Sequence, residues 1–344
     1  MKIQALMTDG EKIMAKTDTE GEPMGRWVSY RPEIKILDCT IRDGGLMNNH
    51  FFSDEVVKGI YSACVNGGID YMEIGYINSK RLFASAEYGV WKYCTEDDLR
   101  RIVGKNDTSL KLSAMADAGK SDYRDDILPC KQSVLDMIRI ATYIHQIPLA
   151  LDMIKDAHDK GYETTVNLMS ISTVVESELD KALELLVNSE VGTIYVVDSF
   201  GALYSEQIRA LIEKYISYAE PRGKRVGIHN HNNQQLAFAN TIEAIVRGAN
   251  MADSSMAGLG RGAGNCPTEL LIGFLHNPKL LLRPILRCVQ QHIEPMREKL
   301  KWGFDPSYMM TGVLNQHPRA AINFNDSEDR GNLTKFFDSV TEDA

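Results

Sequence analysis

Short runs of apolar and β-branched residues alternate along the chain with longer segments in which apolar residues recur at helical spacing. Eight such runs lie between residues 34 and 256, and each has the length and composition of a buried strand. They are IKILD (34–38), YMEIG (71–75), LKLSAMA (110–116), MIRIA (137–141), TTVNLM (164–169), TIYVVD (193–198), VGIHNH (226–231) and MADSSM (251–256). The pattern therefore predicts eight strands.

The segments between these runs have the spacing of amphipathic helices. One of them carries its apolar residues on a single face and ends at Gly161; they are Leu149, Ala150, Met153, Ile154 and Ala157. Another is preceded by Ser53, which is a suitable N-cap. Most strands are thus followed by a helix.

Eight strand–helix units predict a parallel sheet, because each helix returns the chain to begin the next strand in the same direction. Eight is also the number that closes a (β/α)₈ TIM barrel, which we expect at residues 33–278. An open, doubly wound sheet is the alternative. Residues 1–32 are expected to form a short N-terminal extension. Residues 279–344 are expected to form a helical C-terminal extension, with one long helix and a solvated acidic tail.

Composition narrows the partners and the compartment. The 344 residues are 44% hydrophobic and 25% charged, which are ordinary values for a globular protein. A net charge of −9 argues against a nucleic acid or an anionic membrane as a partner. No apolar run approaches the roughly 20 residues that span a bilayer. The first residues lack a signal-peptide core, and the six cysteines show no paired spacing, so we expect a cytoplasmic protein.

Candidate metal ligands lie where the first and seventh strands end. Arg42 and Asp43 follow the first strand and precede two glycines, which we expect to turn the backbone sharply over the barrel mouth. His229 and His231 are one residue apart and point the same way in a strand. Both strands flank the eighth in a closed barrel, so these side chains can converge. A carboxylate and two imidazoles suit Mn²⁺, Mg²⁺, Zn²⁺ or Co²⁺. The histidine pair alone is equally typical of side chains that bond backbone and solvent.

Three motifs resemble those of a known superfamily. TIRDGG (40–45), GIHNHNNQQLAFANTI (227–242) and DSSMAGLGRGAGNCPTE (253–269) are similar to the DRE-TIM metallolyases, the family of hydroxymethylglutaryl-CoA lyase. Two further segments, at 137–169 and 194–212, are most similar to its 4-hydroxy-2-oxovalerate aldolase branch. The resemblance covers about residues 34–276, and it implies a TIM-barrel lyase that depends on a divalent metal, with Mn²⁺ favoured.

The resemblance also implies roles for individual residues. Asp43, His229 and His231 would bind the metal, and Arg42 would stabilise the enolate that forms when a 4-hydroxy-2-oxo acid is cleaved to pyruvate and an aldehyde. Ser199 matches a serine that contacts the carboxylate of the 2-oxo acid substrate in the aldolases. Glu73, at the end of the second strand, would either orient Arg42 or contact the substrate.

The chain departs from the aldolase pattern in two places. Leu46 stands where the aldolases have a histidine that transfers a proton; His50, Tyr76 or a water molecule on the metal would have to replace it. The aldolases also cover the site with a C-terminal tyrosine, whose place here falls near Met310, with Tyr308 out of register. The segment after the barrel is shorter than theirs, which argues against their acylating aldehyde dehydrogenase partner.

Two alternative functions remain open at this stage. One is a Claisen-type reaction of an acyl-CoA with a 2-oxo acid, although Cys266 lies too far along the loop to match the cysteine of the CoA-dependent lyases and is expected to pack in the core. The other is a catalytically inactive barrel that only binds metal. We also expect the chain to form a homo-oligomer.

Overall fold

Eight parallel strands close into a barrel in the computed structural model, which describes residues 31–342. They are β1 (Lys35–Asp38), β2 (Tyr71–Tyr76), β3 (Lys111–Asp117), β4 (Met137–Thr142), β5 (Glu163–Leu168), β6 (Thr193–Asp198), β7 (Arg225–Asn230) and β8 (Met251–Ser254). Each strand pairs with the next, and β8 pairs with β1 from Lys35↔Met251 to Asp38↔Ser254. This last pairing confirms the predicted (β/α)₈ barrel and rules out an open sheet.

Helices surround the strands and continue after the barrel. They are α1 (Thr40–Gly44), α2 (Asp54–Gly67), α3 (Glu96–Val103), α4 (Tyr123–Asp126), α5 (Ile147–Asp159), α6 (Glu176–Val187), α7 (Ser205–Ala219), α8 (Ala237–Val246), α9 (Thr268–Leu275), α10 (Leu282–Cys288), α11 (Pro306–Val313), α12 (Arg319–Asn325) and α13 (Leu333–Glu342). None of the helices in the described range is both long and apolar enough to cross a bilayer.

Burial on both faces explains why the apolar runs are nearly continuous. Every residue of β2, β4 and β6 is buried, because one face fills the barrel and the other packs under the helices. Helix α2 begins after Ser53, whose side chain accepts a hydrogen bond from the Val56 backbone N–H, as predicted. The same helix ends at Gly68, where a φ of 70° favours glycine. The predicted apolar face of α5 is also buried, except for Leu149, which is half-buried.

The C-terminal extension differs from the prediction in two ways. The expected long helix is interrupted: α10 is followed by a π-helical turn at Val289–Ile293 and a 3₁₀ turn at Glu294–Glu298. Pro295 lies in the second turn and has no N–H to continue the helical ladder.

The acidic end was predicted to be a solvated tail. Its described part instead contains helix α13, which packs against the rest of the extension and the loop after β8. Its Phe336 and Val340 are buried in a cluster with Ala263, Tyr308 and Ala321. The predicted N-terminal extension at residues 1–32 lies almost entirely outside the described residues.

Candidate functional site

Asp43, His229 and His231 converge at the carboxyl end of the barrel. Asp43 lies on α1, the single helical turn that follows β1, while His229 is in β7 and His231 directly follows that strand. The Asp43 Oδ2 atom lies 3.5 Å from Nε2 of His229 and 3.8 Å from Nε2 of His231. These separations are too long for hydrogen bonds but shorter than the sum of two metal–ligand bonds of about 2.0–2.2 Å each. The three side chains therefore fit one divalent cation.

Electrostatics prepare two of these three groups, Asp43 and His231, for metal binding. Burial would raise the pKa of Asp43, but His231, Arg42 and His229 outweigh it and hold that pKa well below its usual value. Burial also lowers the pKa of His231 far below its usual value, against the opposing charge of Asp43. An ionised carboxylate and a neutral imidazole are the protonation states that ligate metal.

Asp253 orients the ring of His229, which is the candidate ligand besides Asp43 and His231. Its Oδ2 atom lies 3.0 Å from Nδ1 of His229, which fixes the proton on Nδ1 and leaves the Nε2 lone pair facing Asp43. Arg139 supports Asp253 through an Nη2–Oδ2 contact of 2.7 Å and also lies 3.1 Å from Glu73. The sequence reading missed both Asp253 and Arg139. A charged residue in the middle of each apolar run was the available signal.

Arg42 is hydrogen-bonded both to Asp43, a candidate metal ligand, and to Glu73 in the barrel interior. Its Nε atom donates to Glu73 Oε2 at 2.6 Å, and its Nη1 atom donates to Asp43 Oδ2 at 2.5 Å. Its Nη2 atom is buried and has no hydrogen-bond partner among the described residues. Glu73 lies in the middle of β2 rather than at its end, so it reaches Arg42 from below the cavity. The remaining Nη2 donor is available to an anionic oxygen of a ligand.

The two glycines after Asp43 do not make the predicted sharp turn. Gly44 and Gly45 both have helical backbone angles, with φ values of −58° and −60°. They are needed for close packing instead. A Cβ at Gly45 would lie 2.1 Å from Nδ1 of His50, and one at Gly44 would lie 2.8 Å from the Leu259 side chain.

An open cavity lies next to the three candidate ligands. Its wall includes Leu46 and Ser199, two residues singled out in the sequence. The Ser199 Oγ atom accepts a hydrogen bond from the Ser170 backbone N–H at 2.8 Å, so its own O–H remains free to donate. Asp198, next to Ser199, is structural, because its carboxylate accepts the N–H groups of Ala202 and Leu203.

The two side chains that could replace the missing proton-transfer group, Tyr76 and His50, lie in different places. Tyr76 lines the cavity, whereas His50 does not. His50 is fully buried behind Tyr76, with its ring edge-on at 5.3 Å between centroids, and neither ring nitrogen has a partner among the described residues. Burial and then Lys92 and Arg42 hold the pKa of His50 well below its usual value, so the ring is neutral.

Met310 and Tyr308, the residues nearest to the place of the aldolases' covering tyrosine, do not reach the cavity. Tyr308 is buried in the C-terminal cluster, with Met310 packed against it, and neither lines the cavity. His317 from the same extension lines it instead, next to Arg261 of the loop after β8. Sequence reasoning missed both, although each lies in a segment that had been singled out. Cys266 is fully buried in the main core, as expected.

A second group of potential ligands, Cys39, His229 and Asp253, lies nearby. Its members already have partners: the Cys39 thiol donates to the Ser254 carbonyl, and His229 Nδ1 is bonded to Asp253. Burial also raises the pKa of Cys39 far above its usual value, which opposes the thiolate that a metal requires. The group that contains Asp43 is therefore the better metal site.

Comparisons with known proteins agree with this geometry. A family model described as HMGL-like matches residues 33–293. The 4-hydroxy-2-oxovalerate aldolase 3 of Rhodococcus jostii is 30% identical over 241 residues, 70% of each chain. The oxaloacetate decarboxylase of Mycobacterium tuberculosis is 31% identical over 244 residues, 70% of this chain and 69% of that one. Among solved structures, the N-terminal domain of a candidate aldolase from Bacteroides vulgatus has a TM-score of 0.71 at 27% identity, covering 86% of this chain and 97% of its own.

Proposed function

The chain belongs to the HMGL-like family, and on that premise we propose that it is a divalent-metal-dependent carbon–carbon lyase that cleaves a 4-hydroxy-2-oxo acid. In this retro-aldol reaction the C3–C4 bond breaks, and its electron pair passes to the pyruvate enolate. The 4-hydroxyl loses its proton and becomes the carbonyl of an aldehyde. The enolate then takes a proton at C3 to give pyruvate.

The observation that carries this proposal is the unused Nη2 donor of Arg42 beside the three ligands. A divalent cation held by Asp43, His229 and His231 supplies Lewis-acid polarisation of the 2-oxo group. Arg42 is fixed by Glu73 and Asp43, so its free N–H meets the oxygen on which negative charge develops without further reorganisation.

Ser199 and Tyr76 complete the substrate contacts in the proposal. The free hydroxyl of Ser199 donates to the carboxylate of the 2-oxo acid. Burial raises the pKa of Tyr76, so its hydroxyl is protonated at neutral pH and donates to the 4-oxygen of the substrate. The proton that leaves this oxygen passes to water in the open cavity. His50 packs behind Tyr76 and holds its ring in position.

Decarboxylation of a 2-oxo diacid is the second candidate, and Leu46 favours it. A leucine on the cavity wall cannot remove a proton, and decarboxylation requires none to be removed. The C3–C4 bond breaks, carbon dioxide leaves, and the same enolate remains to be protonated at C3. The family relative that is named an oxaloacetate decarboxylase supports this candidate. A Claisen reaction with an acyl-CoA has no comparable support, because Cys266 is in the core and away from the cavity.

An assay of pyruvate release separates the two reactions. The protein is loaded with Mn²⁺, the metal we favour, and is given a panel of 4-hydroxy-2-oxo acids and, separately, oxaloacetate. The aldolase proposal expects metal-dependent pyruvate and aldehyde from the first panel. Release of pyruvate from oxaloacetate alone would replace it with the decarboxylase. No turnover of either, in a protein that binds metal, would support the inactive barrel.

Three further features remain predictions of the same proposal. We expect a homo-oligomer in the cytoplasm and no stable complex with an acylating aldehyde dehydrogenase. Size-exclusion chromatography, alone and with such a dehydrogenase, tests the first and the last.

A further inference from the structure

Arg261 and His317 meet on the cavity wall, and no step of the proposed reaction uses either of them. Arg261 lies in the loop after β8, and His317 lies between α11 and α12 in the C-terminal extension. The Arg261 Nη1 atom is 3.2 Å from Nε2 of His317, and its Nη2 atom donates to the Ser199 carbonyl at 2.7 Å. Both side chains line the cavity that also contains His229 and His231.

The contact between the two side chains lacks an acceptor. The Arg319 backbone N–H donates to Nδ1 of His317 at 3.1 Å, so a neutral ring carries its proton on Nε2. Burial, with Arg261 and Arg319, lowers the pKa of His317 to about 4, so the ring is neutral. The Nε2–H group and the guanidinium N–H are therefore two donors that face each other. If Nδ1 carried the proton instead, Nε2 could accept from Arg261, but the Nδ1–H group would then face the Arg319 backbone N–H.

The charge of Arg261 is balanced only in part, by the nearby Asp43 carboxylate, which is not hydrogen-bonded to the Arg261 side chain. Its side chain makes two contacts, with His317 and Ser199, and neither partner is a carboxylate. The Nε atom is buried and has no hydrogen-bond partner among the described residues. A guanidinium has five N–H donors, and removing its charge from water is unfavourable unless an anion joins it. Both features require the same group, an acceptor that carries negative charge.

We propose that Arg261 and His317 form a subsite for a carboxylate at the end of the substrate remote from its 2-oxo group, so that the preferred substrates are 2-oxo acids with two carboxylates. The proposal rests on the proposed function, which places the 2-oxo group at the three ligands and its own carboxylate at Ser199. His317 lines the cavity from the C-terminal extension rather than from the barrel that carries the three candidate ligands. The guanidinium edge and the Nε2–H group together present donors that match a planar carboxylate.

Binding of two inert oxo acids tests the subsite without turnover. 2-Oxoglutarate and 2-oxopentanoate have the same chain length and differ only in a terminal carboxylate or methyl group, and neither has a 4-hydroxyl to cleave. Isothermal titration of the Mn²⁺-loaded full chain should show that 2-oxoglutarate binds about 10- to 100-fold more tightly, the range for a charge-assisted hydrogen-bonded pair. Equal affinities in the wild type would overturn the proposal, as would failure of both oxo acids to bind.

Three variants assign that preference to these residues. Arg261→Gln removes the charge and should bring the two dissociation constants close together. His317→Phe keeps a ring but loses the Nε2 donor, and it should reduce the preference to a smaller extent. It also decides the matter if Arg261→Gln does not fold. Arg330→Gln is the matched control, because it removes a positive charge from an exposed side chain of the same extension that does not line the cavity, and it should keep the preference. If Arg261→Gln weakens both ligands equally, Arg261 binds the shared 2-oxo acid end and the proposal fails.

Turnover separates failure of the subsite from failure of the proposed lyase. 4-Hydroxy-2-oxoglutarate and 4-hydroxy-2-oxopentanoate form a second pair with the same carboxylate-for-methyl change. The wild type should have the higher kcat/KM for the first, and Arg261→Gln should reduce that advantage. If neither is cleaved while 2-oxoglutarate still binds preferentially, the lyase is wrong and the subsite stands.

Discussion

Arg42 is the residue on which the proposed chemistry depends most. Its guanidinium donates hydrogen bonds to Glu73 and Asp43, and its Nη2 atom has no hydrogen-bond partner among the described residues. A lysine has one ammonium group and cannot make these contacts together. Arg42→Lys should therefore retain metal and lower kcat by about 10²–10³-fold, as removal of an oxyanion donor does. Steady-state kinetics and metal titration measure the two effects. Unchanged kcat would make Arg42 structural, and lost metal affinity would make it a support for Asp43.

In the proposed function, Asp253 would act on the metal through its hydrogen bond to His229. Asp253→Asn removes the negative charge behind Nδ1 and leaves Arg139 with a weakened partner close to the site. We expect the affinity for Mn²⁺ to fall by about 10–100-fold in calorimetry, as for other outer partners of metal-bound histidines. Asp136→Asn is the control, because Asp136 accepts the Leu112 N–H at the other end of the barrel. A folded Asp253→Asn protein with wild-type affinity would remove this role.

Tyr76 and His50 can be distinguished by paired substitutions. Tyr76→Phe removes a hydroxyl on the cavity wall and should lower kcat by about 10²-fold or more, within the range for a positioned acid or base. His50→Ala changes a side chain behind that wall, so its effect should be much smaller. The opposite ranking, with loss of a pH-profile limb below the ordinary histidine pKa of about 6.5, would assign proton transfer to His50.

At the scale of elements, the barrel could be predicted from the sequence, whereas the packing of the helical C-terminal extension could not. The sequence predicted that Asp43, His229 and His231 lie together at one end of the barrel. This was possible because the sequence pattern shows both the alternation of side chains along a strand and the number of strand–helix units that closes a barrel. The pairing of Arg261 with His317 depends on how the extension docks, which no local period encodes. The solvated-tail prediction overlooked a signal, however. Leu333, Phe336 and Val340 recur at helical spacing in that segment.

Helix α13 supports the segment that carries His317. The Gln316 side chain donates to the Val340 carbonyl at 3.0 Å, and Phe336 anchors the same helix in its cluster. Phe336→Ala should lower the free energy of unfolding by about 3 kcal/mol, the lower part of the range for buried phenylalanines. Phe337 is 46% exposed, so Phe337→Ala should change it by less than about 0.5 kcal/mol. Chemical denaturation compares the two, and equal effects would contradict the observed packing.

At the scale of the whole molecule, two parts of the protein meet at the mouth of the barrel. One is the buried interior of the barrel, and the other consists of the loops and the C-terminal extension. The interior supplies an ion-pair network of Arg42, Glu73, Arg139 and Asp253, all buried, which orients groups at the carboxyl ends of β1 and β7. The loops and the extension supply the outer wall. In the proposed function, this division separates the enolate chemistry at the three candidate ligands from the recognition of the rest of the substrate.

Enolate formation is the central claim, and exchange of the methyl protons of pyruvate tests it most directly. Pyruvate is incubated with the protein in D₂O and its methyl signal is followed by proton NMR. The account predicts exchange with the Mn²⁺-loaded wild type, little exchange after removal of the metal by a chelator, and little with Arg42→Lys or Asp43→Asn. Absence of exchange in a metal-loaded, folded wild type would contradict it, as would exchange that is indifferent to the metal and to Arg42.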